Sequence, residues 1–310
     1  MKANAPTKNE NPQSWRIAIT GGTGMIGRAV GRELGRLGHE VVVVSRSGRG
    51  GTVFWDPEEQ RFEAEKLEGC RAVIHLSGEP IAQRWTGEVR ERIYSSRVRA
   101  TRLLVEGLGR LATPPEVLLS ASGINYYPAT EFGAALDEEA GPGGDFLSRV
   151  CLHWEQEAFK AERIGTRVRV LRTAVVLSPE GGALARLLPV FRAGAGGRIA
   201  SGRQPFPWVS IDDYVSICRH LLFRSTASGA FNVVSPGRVT NAEFVRTLAR
   251  VLKRPCVLPV PRTAIRLAFG EMGSKTLVEG VDAVPAALLG DGFRFRHSNL
   301  EGALAHLLDR

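Results

Sequence analysis

The chain has 310 residues, of which 43% are hydrophobic and 24% are charged, and this composition excludes a wholly disordered protein. Basic residues outnumber acidic residues by 41 to 32, which gives a formal net charge of +9, and almost all of the basic residues are arginines. They form no block of like charges, and no apolar run approaches the length of a membrane span. We therefore expect no partnership with nucleic acid and no association with a membrane.

Residues 1–14 are polar and lack the apolar core of a signal peptide, so they are expected to form a disordered tail. Strand-like and helix-like patterns then alternate, which predicts βαβ units and a parallel sheet. The predicted strands are short and rich in β-branched residues. They cover Trp15–Thr20, Val41–Val44, Arg71–Leu76, Val117–Ser120, Val168–Val176 and Ala230–Val234. The predicted helices cover Met25–Leu37, Val98–Leu111 and Phe146–Arg163.

Two segments interrupt this alternation. Turn-forming residues cluster in the second half of 181–207, and the pattern after Thr240 is helical with little sheet signal. We therefore predict an α/β fold, with a Rossmann-type doubly wound parallel sheet that carries helices on both faces, plus a smaller mixed C-terminal cap. The predicted boundaries are 15–180 with 211–235 for the Rossmann domain and 181–210 with 236–310 for the cap.

A glycine-rich turn, TGGTGMIG, lies between the first predicted strand and the first predicted helix. In this context Gly21 makes the tight turn, Gly24 lets a pyrophosphate approach backbone N–H groups, and Gly27 lets the helix pack on the strand. The helix N-terminus then faces the anion. The turn predicts a dinucleotide site that includes Gly21, Thr23, Gly24, Met25, Ile26 and Gly27. The alternative is that the glycines serve only a tight connection.

The end of the second predicted strand indicates which dinucleotide binds. A site for NAD usually has Asp or Glu about 20 residues after the turn, bonded to the ribose 2′-hydroxyl. Here the strand ends in Ser45 and Arg46 with no acid, and a guanidinium binds a 2′-phosphate in a bidentate manner. The sequence therefore favours NADP(H), with Ser45 and Arg46 at the phosphate. Alternatively, Arg46 is a solvated charge in a loop.

The cysteines and histidines indicate no metal site. The 4 cysteines are far apart and the 6 histidines show no HExxH or other ligand spacing. We therefore expect a reduced, metal-free protein located in the cytoplasm.

Motifs along nearly the whole chain carry a family resemblance. They are GGTGMIG at Gly21–Gly27, HLSGEPI at His75–Ile81, SRVRATRLL at Ser96–Leu104, SASGINYYP at Ser120–Pro128, DFLSRVCLHWE at Asp145–Glu155, RTAVVLSPEGGAL at Arg172–Leu184, SGRQPFPWVSIDD at Ser201–Asp213, NVVSPGRVTNAEF at Asn232–Phe244, GEMG at Gly270–Gly273 and GFRFRHSNLEGAL at Gly292–Leu304. With them the chain resembles the extended branch of the short-chain dehydrogenase/reductase superfamily. More narrowly, it is similar to the atypical "epimerase family" proteins with a C-terminal domain of unknown function.

The resemblance implies roles for residues at the ends of later strands and in one helix. Leu76, Ser77 and Gly78 would pack against adenine and ribose, and Arg97 takes the place of an Asn near the cofactor. Ser120 and Ser122 end the strand that usually carries a catalytic Ser or Thr. Thr173 and Val175 would face the nicotinamide amide. The alternatives are core positions for Leu76 and Val175 and a local backbone hydrogen bond for Ser120.

The chain departs from the family at the catalytic helix. Extended members that act on sugars use Tyr-x-x-x-Lys, in which lysine lowers the phenol pKa. The corresponding residues here are Leu147 and Cys151, and neither replaces that pair. The candidate catalytic residues are therefore Ser122, Tyr126 and Glu155. Glu155 would act as a proton donor with a pKa raised by desolvation, or else be a capping or surface carboxylate.

Two functions from different classes follow. The first is an NADP(H)-dependent oxidoreductase or epimerase-like enzyme that acts on an unidentified small molecule and forms a possible homodimer. Its acceptor would need little acid assistance, such as a quinone, a flavin or a conjugated carbonyl, because hydride chemistry resides in the cofactor. The second is a regulatory or scaffold protein that senses NADP(H) without turnover, which the missing Tyr and Lys would explain.

Overall fold

The computed structural model describes residues 14–46, 53–256 and 258–309. Its strands are β1 (Arg16–Thr20), β2 (Glu40–Ser45), β3 (Val53–Asp56), β4 (Arg61–Phe62), β5 (Ala72–His75), β6 (Val117–Gly123), β7 (Arg167–Thr173), β8 (Val175–Leu177), β9 (Trp208–Ser210) and β10 (Gly229–Val233). Eight of them form one sheet in the order β10-β7-β6-β5-β1-β2-β3-β4, and β8 pairs with β9 separately. The large sheet is parallel except for the β3–β4 pair.

The helices are α1 (Met25–Arg36), α2 (Gly87–Tyr94), α3 (Ala100–Leu108), α4 (Phe146–Phe159), α5 (Gly182–Arg192), α6 (Ile211–Phe223), α7 (Asn241–Leu252), α8 (Arg262–Gly273, kinked at Gly270), α9 (Ala286–Gly290) and α10 (Leu300–Leu307). No helix in the described part of the chain is long and apolar enough to cross a bilayer.

Both faces of the large sheet are covered, because side chains alternate along each strand. Ile17 and Ile19 of β1 pack in one apolar cluster with residues of α1 and α6. Ala18 points the other way and packs in a second cluster with Leu104 of α3 and Ala158 of α4. Strand order reverses at the β1–β5 pair, as it does in Rossmann folds. The predicted α/β fold with a doubly wound sheet is therefore confirmed.

One predicted strand is wrong in its extent. The run Val168–Val176 is divided, since β7 ends at Thr173 and Val175 begins β8 in the second sheet. The backbone N–H of Ala174 still bonds the carbonyl of Val233, whereas the N–H of Val175 bonds that of Pro207. The chain changes partners within one residue, and nothing in the apolar run marks the change.

Helix boundaries also differ from the predictions. The predicted helix Val98–Leu111 begins earlier, because α2, capped by the Thr86 hydroxyl, continues through a π-helical turn at Ser95–Arg99 into α3. The α-helical part of Phe146–Arg163 ends at Phe159, and a 3-10 turn follows. Charged residues dominate α2, so its apolar stripe is too short to be recognised from spacing.

The C-terminal part contributes to two apolar clusters. One unites α5, α7 and α10 around buried side chains such as Leu184, Leu248 and Leu304. The other is the cluster of the large sheet itself, which includes Leu288 of α9 and Phe293. The segment that follows α8 therefore packs on the Rossmann sheet as well as on the cap helices. The predicted division into two domains stays a prediction.

Candidate functional site

The turn between β1 and α1 requires glycine at two positions. Gly21 has φ +68°, and a Cβ placed there would lie 2.9 Å from the carbonyl carbon of Leu76. A Cβ on Gly27 would lie 2.3 Å from the carbonyl oxygen of Gly21. Gly24 is the N-cap of α1, and no described side chain caps the helix there. The first N–H groups of the helix are thus arranged to bind an anion.

A cavity of about 740 Å³ opens at the carboxyl ends of β1, β2 and β5. In the sheet, Thr20 lies between Val44 and His75, so the residues after these strands meet at one edge. Eight predicted cofactor residues line the cavity, namely Gly21, Thr23, Gly24, Ser45, Arg46, Leu76, Ser77 and Gly78. Further residues without a predicted role also line it, among them Trp55, Glu58, Arg92, Arg99 and Arg102.

The floor of this cavity is held by Thr20. Its hydroxyl oxygen lies 2.7 Å from Nδ1 of His75 and accepts hydrogen bonds from the backbone N–H groups of Leu76 (3.2 Å) and Ser77 (3.4 Å). Nε2 of His75 lies 2.9 Å from the hydroxyl of Thr101. Complete burial lowers the pKa of His75 to about 3, so the imidazole is neutral. The HLSG motif contains this histidine, but nothing in the sequence indicates that Thr20 and Thr101 are its partners.

Arg97 lies in the π-helical turn beneath the cavity. Its guanidinium carbon is 5.3 Å from the ring centroid of Trp154, and it packs against Gly78, where a Cβ would lie 3.1 Å away. It donates to the carbonyl of Ile93 and the hydroxyl of Ser96, and among the described residues no carboxylate forms an ion pair with it. Burial lowers the pKa of Arg97. The hydroxyl of Ser77 and Nε1 of Trp154 are buried and have no described partner.

Glu155 occupies a buried ion pair. Both its side chain and that of Arg172 are about nine-tenths buried or more, at 5% and 6% exposed. Nε and Nη2 of Arg172 donate to the two carboxylate oxygens at 3.0 and 2.9 Å, and the Ser122 hydroxyl donates to Oε1 at 2.6 Å. The interpretation of Glu155 as a capping or surface carboxylate is therefore wrong. Arg172 had no predicted role, although a charged residue within a predicted buried strand indicates a buried partner of opposite charge.

Tyr126 and Tyr127 complete this network from the turn after β6. The guanidinium carbon of Arg172 lies 3.6 Å from the ring centroid of Tyr126. Arg172 also donates to the Tyr127 hydroxyl at 2.8 Å, which in turn donates to Oδ1 of Asn232 at 2.8 Å. Desolvation raises the pKa of both phenols. Neither tyrosine therefore has an activated phenolate at neutral pH.

The remaining predicted residues lie outside the cavity lining. Met25 and Ile26 pack partly against the core cluster, and their backbone N–H groups belong to the first turn of α1. Ser120 is buried and donates weakly to the Ala121 carbonyl at 3.4 Å. The Thr173 hydroxyl donates to the carbonyl of Leu171 at 3.0 Å, and Val175 packs against the cluster of the cap helices.

Leu147 and Cys151, which the family resemblance aligns with the tyrosine and lysine of sugar-active members, are both buried on α4. Leu147 packs with Val89 and Ile93. The Cys151 sulfur faces Gly123 at the end of β6, and burial raises the pKa of its thiol to about 11. At neutral pH neither side chain carries a charge or a mobile proton.

Comparison with known proteins places this geometry in a family. The profile of the NAD dependent epimerase/dehydratase family matches residues 17–234, which is more than half of the chain. The chain belongs to this family. A second profile, a domain of unknown function called DUF1731, matches residues 260–307. The resemblance drawn from the sequence motifs is therefore confirmed.

Relatives in this epimerase family match nearly the full chain. The human "epimerase family protein SDR39U1" is 35% identical over 298 residues, which cover 94% of this chain and 99% of the human one. The "epimerase family protein YfhF" of Bacillus subtilis is 35% identical over 298 residues, which cover 94% of this chain and 97% of the Bacillus protein.

Solved structures give the same assignment. The crystal structure of human SDR39U1 (isoform 2) with NADPH has a TM-score of 0.87 and 33% identity, and covers 95% of this chain and 99% of its own. A nucleoside-diphosphate sugar epimerase from Corynebacterium glutamicum has a TM-score of 0.79 and 31% identity. The match covers 95% of this chain and 58% of the epimerase. A UDP-glucose 4-epimerase from Thermotoga maritima, at a TM-score of 0.75 and 19% identity, shares the fold.

Proposed function

We propose that this epimerase-family protein is an NADP(H)-dependent oxidoreductase that acts on a small molecule. The observation that carries the proposal is the cavity at the switch point, where the helix N-terminus at Gly24 and the exposed Arg46 line one space. The human relative solved with NADPH supports the same cofactor. Ser77 lines the cavity, and its buried hydroxyl has no hydrogen-bond partner among the described residues. A bound ligand would supply that partner.

Each part of the cofactor has candidate residues in this arrangement. The N-terminus of α1 would hold the pyrophosphate, Ser45 and Arg46 the 2′-phosphate, and Leu76–Gly78 the adenosine. Thr173 and Val175 stay candidates for the nicotinamide end. NADPH, once bound, supplies a hydride, so the protein has to orient the acceptor and manage its proton.

Ser122 is proposed to help orient the substrate by accepting a hydrogen bond from an N–H or O–H group of that molecule. Its proton is committed to Glu155, so the lone pairs of its oxygen are what it offers to a ligand. Glu155 is then a positioning residue, because Arg172 and Ser122 already donate to its oxygens. The absence of a Tyr-x-x-x-Lys pair favours acceptors that need little acid assistance, such as quinones, flavins or conjugated carbonyls. Tyr126 stays the candidate for any proton transfer.

A fluorescence titration with NADPH and NADH tests the cofactor. We expect NADPH to bind more tightly, and Arg46→Ala to weaken NADPH binding about tenfold or more while leaving NADH unchanged, because a charge-assisted hydrogen bond is lost. Arg36→Ala is the matched control, since Arg36 is also exposed but lies at the far end of α1. Equal affinity for both dinucleotides would remove the role of Arg46, and no binding of either would remove the function.

A non-catalytic NADP(H)-sensing or scaffold role is the second candidate. The burial of Leu147 and Cys151, where a proton relay would stand, favours it. An acceptor screen with NADPH separates the two. Oxidation that falls in Ser122→Ala and Tyr126→Phe supports the enzyme, whereas tight NADPH binding with no turnover on any acceptor supports the sensor.

Location and partners stay proposals as well. The cysteines at 70, 151, 218 and 256 are free in the structure, which supports a reducing compartment such as the cytoplasm. The predictions of a homodimer and of no nucleic-acid partner rest on the family resemblance and on the dispersed arginines. Sedimentation and a binding titration at two salt concentrations check them.

A further inference from the structure

Three side chains outside the cofactor cavity meet where α6 begins. Asp212 lies in the first turn of α6, His306 in the last turn of α10, and His297 in the segment before α10. Oδ2 of Asp212 is 2.8 Å from Nε2 of His306 and 3.7 Å from Nε2 of His297. The three ligand atoms all lie within 4.8 Å of one another. Two imidazole nitrogens and a carboxylate oxygen thus converge on one point.

A second, independent observation is that the imidazole of His297 lacks a binding partner at this point. Its side chain is only 10% exposed, and its Nε2 is buried without a hydrogen-bond partner among the described residues. The nearest carboxylate oxygen, at 3.7 Å, is too far for a hydrogen bond. A buried nitrogen without a partner costs stability and is uncommon in folded proteins. A ligand between His297 and Asp212 would satisfy it.

His297 is also held firmly in place by its backbone. Its N–H donates to Oδ2 of Asp213 at 3.0 Å, and its carbonyl accepts from the Ser235 hydroxyl at 3.1 Å. Asp213 is fully buried and accepts a further hydrogen bond from Ser210. The backbone that carries this imidazole is therefore fixed without a bound ion. A preformed ligand of this kind reduces the cost of binding.

The donor set selects the class of ion. Imidazole nitrogens suit zinc and its transition-metal neighbours, whereas magnesium and calcium prefer oxygen ligands. Ligand atoms around tetrahedral zinc lie about 3.4 Å apart. The distances from Oδ2 of Asp212 to the two imidazole nitrogens, 2.8 and 3.7 Å, fall on either side of that value. His306 is 43% exposed and free to adjust. The nearby Arg296 is exposed to solvent, which screens its charge.

We propose that Asp212, His297 and His306 bind one zinc-class divalent ion, with water completing its coordination. The ion links the start of α6, which packs on the Rossmann sheet, to the C-terminal helix α10. Three protein ligands with open positions make an exchangeable site, unlike the closed four-ligand sites of zinc fingers. Metal binding would also raise the unfolding temperature, because the three ligands come together only in the folded chain.

Titration of tag-free, chelator-treated protein with ZnCl₂, and separately with CoCl₂, tests the site. We expect one zinc ion per chain by calorimetry and a visible Co²⁺ absorption of a nitrogen–oxygen site. His306→Gln and Asp212→Asn should each weaken zinc binding about tenfold or more. His306 is exposed, so its replacement should leave folding intact.

Two variants serve as controls. His220 lies 2.8 Å from Asp291, a similar pair without a second imidazole, so His220→Gln should bind zinc normally. Cys256, the most accessible of the free cysteines, should be replaceable by serine without effect. The proposal is overturned by unchanged zinc affinity in His306→Gln, by loss of binding in Cys256→Ser, by a thiolate-to-cobalt charge-transfer band, or by no binding at about 100 μM zinc.

Discussion

At the scale of single residues, the neutral His75 makes the stability of the fold depend on pH. Its pKa falls from an ordinary value of 6.5 to about 3 when the chain folds, because the imidazole is fully buried. Below pH 6.5 the unfolded chain binds a proton that the folded chain excludes. The contribution of His75 to stability is therefore complete above pH 6.5 and is lost progressively as the pH falls toward 3.

Urea unfolding at pH 7, 6 and 5 measures this contribution. Between pH 6 and 5 the free energy of unfolding of the wild-type protein should fall with a slope that is steeper, by about 1.4 kcal/mol per pH unit, than that of His75→Gln. The comparison of slopes removes any constant loss caused by the substitution itself. Parallel pH profiles for the two proteins would mean that His75 titrates normally in the fold.

The role of a residue could be predicted from the sequence only where it depends on neighbouring residues in the chain. The residues around the glycine turn were predictable, because their roles follow from a local strand–turn–helix context. The ion pair between Glu155 and Arg172 was not, since the partners lie on a helix and a strand that meet only in the folded chain. The same holds for the convergence of Asp212 with His297 and His306, which local spacing does not reveal.

At the scale of elements, two of the three glycines of helix α1 have opposite surroundings. A Cβ at Gly27 would collide with the Gly21 backbone, whereas a Cβ at Gly35 would meet nothing within 4 Å. We expect Gly27→Ala to abolish NADPH binding and to lower the free energy of unfolding by about 1–3 kcal/mol, as overpacking does. Gly35→Ala should bind NADPH normally and be about 0.5–1 kcal/mol more stable, because alanine favours the helix.

Fluorescence titration and urea unfolding of both variants check this contrast. Normal NADPH binding by Gly27→Ala would show that the close approach of α1 to the turn is not required. A destabilised Gly35→Ala would show that this end of the helix makes contacts absent from the structure.

Elements were also predictable to different degrees. The alternation of apolar runs and helical stripes was enough to place most of the sheet, because each strand and helix carries its own periodicity. The division of Val168–Val176 into β7 and β8 could not be predicted from the periodicity of the segment itself. It depends on β9, which arrives from a distant part of the chain to pair with β8.

At the scale of the whole molecule, the C-terminal segment is part of the main core. Leu288 is fully buried in the cluster of the large sheet, and its neighbour Leu289 is half exposed. Leu288→Ala should therefore lower the free energy of unfolding by about 2–5 kcal/mol, whereas Leu289→Ala should change it by no more than about 0.5 kcal/mol. We expect one cooperative transition in both variants.

Circular dichroism and tryptophan fluorescence, followed through the same urea titration, test this expectation. Two separate transitions in Leu288→Ala would mean that the C-terminal segment unfolds independently of the sheet. Equal effects of the two substitutions would mean that the packing of α9 differs from that described.

The hydroxyl of Thr20, which holds the loop after β5 through the N–H groups of Leu76 and Ser77, has a thermodynamic consequence. The floor of the cavity needs no ordering when a dinucleotide arrives, so little backbone entropy is lost there on binding. A dinucleotide would then bind to a preformed site. Differences in affinity among ligands would appear mainly in their dissociation rates.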